Sequence, residues 1–472
     1  MTTTAPVPGA TAASAGATTA SAGATADAGP DAGRRAERDR ARTSARTEVA
    51  GVPAYLVFFL AFVPADMFSA NARQLGFPIS PDRLCLAAGL VLLVLDRRPW
   101  AAVRPRWRPV HTALIAFVLF VIGSAVAFDV WRTGFAAFAL LDRLVVPFVL
   151  FTIAPVVFSD PRSRDLLLKV LVVIGLYLGF TAVFEIFGPK GLVFPRYILD
   201  PQVGIQFGRA RGPFVESEAN GLVMVMSGFG AGLLATRTRG AWRKAAVLAC
   251  CVVPVGGLLT LTRSIWIGAL LGVLITAFAV PRLRRYVAAA AVALTIAVLT
   301  VLAYVPGLSE KLSGRTNATG PLYDRLNTNA AALRIVEAHP LQGVGWSRFI
   351  DVSPEWVRQA STYPITNIDL EVHNVFLGRA AELGLIGAGL FGLCVLLGPV
   401  SAFLRRAPVG DLSGWRVVAL GAFCAWFVAA NTSPLPYPLP NALLWLIAGI
   451  ASAGYTSRPG PARVGQPAVP LA

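Results

Sequence analysis

The sequence predicts an all-α, polytopic membrane protein with about twelve transmembrane helices and a large helical loop between the ninth and tenth. Hydrophobic residues make up 55% of the 472 positions and charged residues only 14%, too little charge to cover a soluble surface. Mean hydropathy is +0.63. Apolar runs of roughly 18–22 residues recur, each long enough to cross about 30 Å of hydrocarbon as a helix.

The chain opens with "MTTTAPVPGATAASAGATTASAGATADAGPDAG", an Ala/Thr/Gly/Ser tract that cannot bury enough apolar surface to offset chain entropy. It reads as a disordered cytoplasmic tail, residues 1–50. It ends in the basic segment "RRAERDRARTSARTE", an anchor drawn to anionic lipid rather than to nucleic acid. The first apolar run begins near Val52, behind this tail, so no cleavable signal peptide is expected. Spans then fall at roughly 52–70, 83–95, 110–128, 135–158, 166–187, 217–236, 245–261, 264–280, 286–305, 373–404, 416–431 and 439–455. They define a transmembrane domain over 51–456, followed by a cytoplasmic tail over 457–472.

Basic clusters set the orientation. "DRRPWAAVRPRWRP", "SDPRSRD", "RTRGAWRK", "PRLRRY" and "RRAPVGDLSGWR" each follow an even-numbered span. The positive-inside rule therefore puts both termini in the cytoplasm. The net charge of +17 has the same explanation, and only four of the 42 basic residues are lysine, which suggests a GC-rich genome. Cys85, Cys250, Cys251, Cys394 and Cys424 lie in predicted spans with no disulfide or metal-ligand spacing, and read as small packing residues. No metal and no cofactor are expected.

Length and unusual residues collect on the opposite face. One loop, roughly 188–216, holds "FGRARGPFVESEAN" and another is barely a turn, "TLTRSIW". The largest, roughly 306–372, has a helical apolar period from Leu326 to Val336 that breaks at Pro340 and the glycines of "GVG". A connection this long is functional or folded, and it is expected to form a small helical cap.

Three features of that face stand beside spans: Arg211 with Arg209, Arg263, and His373. A cation at the membrane edge is costly unless paired and is by default functional. Arg263 interrupts "GGLLTLTRSIWIGALL" with nothing nearby to neutralise it. It is either a snorkelling headgroup anchor or a guanidinium fork suited to phosphate. Arg211 is either such a fork or an anchor paired with Glu216 or Glu218. His373, one of three histidines, follows Asp369 and Glu371 and precedes Asn374 at a helix start. It reads as a polar boundary residue or as a general base. His111 and His339 are weaker candidates. Arg379 and Glu382, three apart in the tenth span, share a face and are expected to pair, whereas Asp142 and Arg143 in the fourth need partners on other helices.

"RARGPFVESEANGLVMVM", "LTLTRSIWIGALLG", "AHPLQGVGWSRF" and "HNVFLGRAAELGLIGAGLF" occur in that order. Together, over roughly 205–400, they resemble the O-antigen ligase and polymerase family of bacterial glycosyltransferases. The resemblance implies a metal-independent, inverting transfer of a glycan from undecaprenyl pyrophosphate to an acceptor hydroxyl at the outer face. It implies that Arg211 and Arg263, with Arg209 nearby, hold the pyrophosphate and that His373 activates the hydroxyl. Arg325, Asp369, Glu371 and Asn374 would be accessory. Thr262 stands where the family usually has serine, and the glutamates of "PFVESEAN" are less usual. A rival reading is a flippase for the lipid-linked oligosaccharide, which needs the cations but no base. Another is a glycosyltransferase using a polyprenyl monophosphate and acids in its first outer loop, but that loop, "NARQLGFPISPD", shows no acidic pair. The sequence leaves open ligase against polymerase.

Overall fold

The computed structural model describes residues 48–49, 51–76, 79–132, 134–281, 284, 319–367, 369–405 and 410–459. The low-complexity stretch 1–47, the expected ninth span at 286–305 and residues 460–472 lie outside the described residues. The chain divides into two units, Met1–Pro53 and Ala54–Ala472. In the first, β1 (Glu48–Val49) pairs antiparallel with β2 (Val52–Pro53).

The second unit is mostly helical. In chain order the helices used below are α1 (Ala54–Asp66), α2 (Pro81–Leu95), α3 (Pro109–Ala127), α4 (Gly134–Val157), α5 (Pro161–Ile186), α6 (Ser217–Arg237) and α7 (Gly240–Leu259). They continue with α8 (Arg263–Ala279), α9 (Gly320–Ala338), α10 (Phe349–Trp356), α11 (Val375–Leu404), α12 (Leu412–Ala430) and α13 (Pro438–Ala451). Seven of these, α3 to α7, α11 and α12, are long and apolar enough to cross a membrane, and α1, α8 and α13 are shorter apolar helices. This is a multi-pass membrane protein.

The helix starts follow from the sequence. Asp160 precedes Pro161 and accepts from the Ser163 amide at 3.0 Å, so α5 begins with a cap and a proline whose missing N–H costs nothing there. Glu216 caps α6 through Ala219 N at 2.7 Å, and Asn374 caps α11 through Leu377 N at 3.0 Å. Small residues then let the helices approach closely. A methyl on Gly221 would stand 2.7 Å from Ile265, and one on Gly268 2.9 Å from the Ala425 main chain.

At one end of the bundle three basic loops meet. Arg164 pairs with Asp411 at 2.5 Å, and Arg237 reaches Asp411 at 2.5 Å and Asp165 at 3.3 Å. There β3 (Val103–Pro105) also pairs antiparallel with β4 (Ser457–Pro459), at the start of the expected C-terminal tail. Arg164 and Glu185 sit at opposite ends of α5, and Arg237 and Glu218 at opposite ends of α6. A 26-residue helix is about 39 Å long, so the two ends are a membrane apart.

At the far end, the described residues of 319–372 fold as a helical cap of α9 and α10. Ala331, Ala332, Ile335, Val344, Phe349 and Val357 form its core with Val372 and Ala381, the last from α11. Two details depart from the sequence reading. The expected tenth span is not one regular helix: Gly384 has φ 67° and ψ −176°, and residues Leu396–Val400 form a π turn at Pro399. The loop 188–216 is also structured, with Val193, Tyr197, Ile198 and Val215 in a small core of their own.

Candidate functional site

The cap joins the bundle through its main chain. Val344 N donates to Ala381 O at 3.0 Å, Gly345 N to Glu382 O at 2.8 Å, and Leu385 N to Pro340 O at 2.7 Å. "PLQGVG" and "ELGLIG" are thus two halves of one joint, made where α11 is broken and its peptide groups are free to pair. Arg379 and Glu382 bond each other at 2.8 Å, as their spacing predicts, with the guanidinium 4.5 Å over the Trp346 ring. The joint fixes α9, which carries Arg325, against the start of α11, which follows His373.

His373 is half-buried, and its Nδ1 is buried without a hydrogen-bond partner among the described residues. Burial pushes its pKa below the ordinary imidazole value, and the charge of Arg325 pushes the same way, while Asp324 and Glu371 pull less strongly upward. Burial and Arg325 outweigh the acids, so the net direction is downward. Asp324 accepts from the Thr366 hydroxyl at 2.6 Å and ties α9 to the segment leading to His373. Asp369 is exposed, and Asn374 is the α11 cap, donating also to Asn431 at 3.3 Å. Glu371 is held by Arg143 at 2.9 Å.

The charge of exposed Arg325 also reaches Glu218 in the first turn of α6, as does that of half-buried Arg209. Ser264, beside Arg263 in the first turn of α8, donates to Glu218 at 2.7 Å. The Thr262 and Ser217 hydroxyls bond each other at 2.9 Å and join the starts of α8 and α6. Arg209, Arg263, Arg325 and His373, from four distant parts of the sequence, thus share one end of the bundle. Arg263 is exposed. Glu216 faces Tyr437 and Glu218; burial and then the Glu218 charge push its carboxyl up to about 7.

Arg211 is placed differently from its neighbours. Its side chain is fully buried, and its terminal nitrogens donate to the carbonyls of Ile198 (2.8 Å), Asp200 (3.1 Å), Val203 (2.7 Å) and Ile205 (3.4 Å). Its carboxylate partner is Glu185 rather than Glu216 or Glu218. The Arg211 and Gly212 amides both donate to Glu185, and the Arg211 Nε lies 3.8 Å from it. Nothing in the local sequence signals this, because Glu185 lies in the last turn of α5, 26 residues upstream.

The first loop also differs from its sequence reading. Asp82, the one acid of "NARQLGFPISPD", is buried, as is Asp66 at the end of α1 just before the loop, and the charges of Asp82 and Asp142 act on Asp66. Arg83 pairs with Asp142 at 3.0 Å. Among the described residues no three His, Cys, Asp or Glu side chains gather into a group that could hold a metal ion.

Exposed and half-buried arginines and a half-buried histidine thus gather at one end of a helical membrane protein. Residues 245–392 match the family model for O-antigen ligase. That match spans Arg263, Arg325, His373 and both halves of the joint, and it supports placing the chain with the O-antigen ligase and polymerase family. The chain matches no curated protein at a significant level.

Proposed function

We propose that this protein transfers or polymerises a glycan from an undecaprenyl-pyrophosphate carrier at the outer face of the bacterial plasma membrane, with both termini in the cytoplasm. The observation that carries the reading is that the charge of the same Arg325 reaches both His373 and Glu218, and that of Arg209 reaches Glu218 as well. Arg209, Arg263 and Arg325 hold the pyrophosphate and stabilise the charge that grows on it as it leaves. Arg211, whose nitrogens already bond four carbonyls, shapes the loop that presents Arg209.

The His373 imidazole takes the proton of the acceptor hydroxyl as its oxygen attacks the anomeric carbon from the face opposite the phosphate. The new glycosidic C–O bond forms as the bond to phosphate breaks, undecaprenyl pyrophosphate departs, and the configuration inverts. Burial suits this role, because a lowered pKa keeps the imidazole neutral and able to accept a proton at neutral pH. No metal enters the scheme.

The test compares wild type with His373→Gln in proteoliposomes, measuring donor binding and product side by side. A general base contributes about 100- to 10,000-fold, so His373→Gln should bind donor and make almost no product. A product rate close to wild type would remove the base, and a flippase would then account better for the cations. The buried pair Asp66 and Asp82 favours a second reading, transfer from a polyprenyl monophosphate with acids as the catalytic groups.

A further inference from the structure

Two ionisable residues stand side by side in the middle of α4, at the π turn Leu141–Val145. Such turns mark functional positions more often than regular helix does, and ionised groups within a membrane span are costly and by default functional. The two side chains diverge. Asp142 meets Arg83 of α2, and Arg143 reaches across to Glu371, which is not in a helix at all.

The second contact is a fork: Arg143 Nη2 lies 2.9 Å from Glu371 Oε1, and Nη1 lies 3.3 Å from Oε2. Two parallel N–H···O bonds set the orientation of a carboxylate as well as its distance. The side chains are 11% and 25% exposed, so water screens the pair weakly. A buried ion pair is a poor device for stability alone, since apolar residues of similar volume do as well or better. Its placement is more informative. Glu371 is two residues before His373, Val372 between them is buried in the core of the cap, and Asn374 immediately after is fixed as the α11 cap. The Arg143 fork reaches this segment from α4, 228 residues away in sequence.

We propose that Arg143 is a positioning residue for His373: through the fork on Glu371 it sets where the imidazole meets the acceptor hydroxyl. This rests on the general-base reading above. Neither residue touches the reacting atoms. A misplacement of about 1 Å costs on the order of 100-fold in rate.

The experiment uses full-length protein in proteoliposomes with a saturating lipid-pyrophosphate-linked glycan and reports the rate per molecule of bound donor. That normalisation removes protein that has merely misfolded. Arg143→Gln and Glu371→Gln should each bind donor with a Kd within about twofold of wild type and turn it over roughly 10- to 100-fold more slowly. The charge-swapped double variant, Arg143→Glu with Glu371→Arg, should recover at least about tenfold over either of its component single variants. Arg143→Gln with a wild-type rate per bound donor, or losses confined to the amount of donor bound, would overturn the proposal while an inactive His373→Gln left the base reading intact. A fully active His373→Gln would instead sink both.

Discussion

The amide of Gly345 donates to the carbonyl of Glu382 at 2.8 Å, joining a glycine of the cap to the helix that begins just after His373. The bond exists because α11 opens at Gly384, whose φ of 67° and ψ of −176° belong to a region that only glycine enters freely. A methyl there would lie 2.2 Å from the Leu341 carbonyl carbon. Gly384→Ala should therefore cost at least about 1–3 kcal/mol from backbone strain alone, read as a lower melting temperature and poor accumulation in the membrane. Gly389→Ala, five residues on in the same helix and with nothing within 4 Å of the added carbon, should melt at or above wild type, since alanine favours helix. Equal melting of the two variants would mean that the joint contributes little.

The two arginines first singled out as partners should separate experimentally. Arg211→Gln removes four carbonyl contacts and the cation facing buried Glu185, and breaking a buried pair from one side costs about 3–5 kcal/mol. Its signature should be lost thermal stability. Arg263→Lys keeps the charge at an exposed position but loses the guanidinium fork. It should melt like wild type and bind lipid pyrophosphate more weakly, as a titration with the purified lipid would show. Arg211→Gln with unchanged melting and weakened donor binding would return Arg211 to the pyrophosphate.

What the sequence discloses and what it hides divide along one physical line. Helix positions were legible because a span is a local property, written in consecutive apolar residues. The Arg379–Glu382 pair was legible for the same reason, at one helical turn. The Arg143–Glu371 fork joins residues 228 apart, and no periodicity encodes it. Nor does hydropathy show the break at Gly384, since "ELGLIGAGL" stays apolar through it. Arg211 looked like Arg263 because both are cations beside spans; only the folded loop decides which is buried against carbonyls and which residue stays exposed.

Orientation has a direct test. In a cysteine-free background, Thr319→Cys lies at the start of the cap and Ala241→Cys near the start of α7, both at exposed positions. A membrane-impermeant thiol reagent applied to intact cells should label the first and not the second. The reverse pattern would put His373 in the cytoplasm.

The acids at the first loop offer a different discrimination. Asp66 and Asp82 are buried and electrically coupled, yet the pyrophosphate reading gives them no chemical step. Asp66→Asn and Asp82→Asn should each keep the rate per bound donor within about threefold of wild type, against the 100-fold or more expected for loss of an acid–base group. Excess chelator should leave transfer unchanged. Loss of activity in both variants, or a chelator effect reversed by magnesium or manganese, would move the chemistry to the monophosphate-using class.

The last expectation concerns pH. A base works in its deprotonated form, so the rate should rise with pH through the His373 pKa and level off above it. Burial and then Arg325 hold that pKa below 6.5, the ordinary imidazole value, while Asp324 and the Glu371 main chain and carboxylate pull it back in part. The acid limb of the wild-type profile should accordingly lie below pH 6.5. Arg325→Gln removes a positive charge that opposes the imidazolium, so the limb should move to higher pH. Asp324→Asn removes a negative charge that favours the imidazolium, and the limb should move to lower pH. Arg325→Gln should also weaken donor binding, so the profile is to be taken at saturating donor, where kcat alone is read. The ratio of variant to wild-type kcat should then be smallest in the acid range and recover as pH rises. A ratio that stays constant from acid to alkaline pH would mean that the titrating group does not feel Arg325, and His373 would no longer be the base.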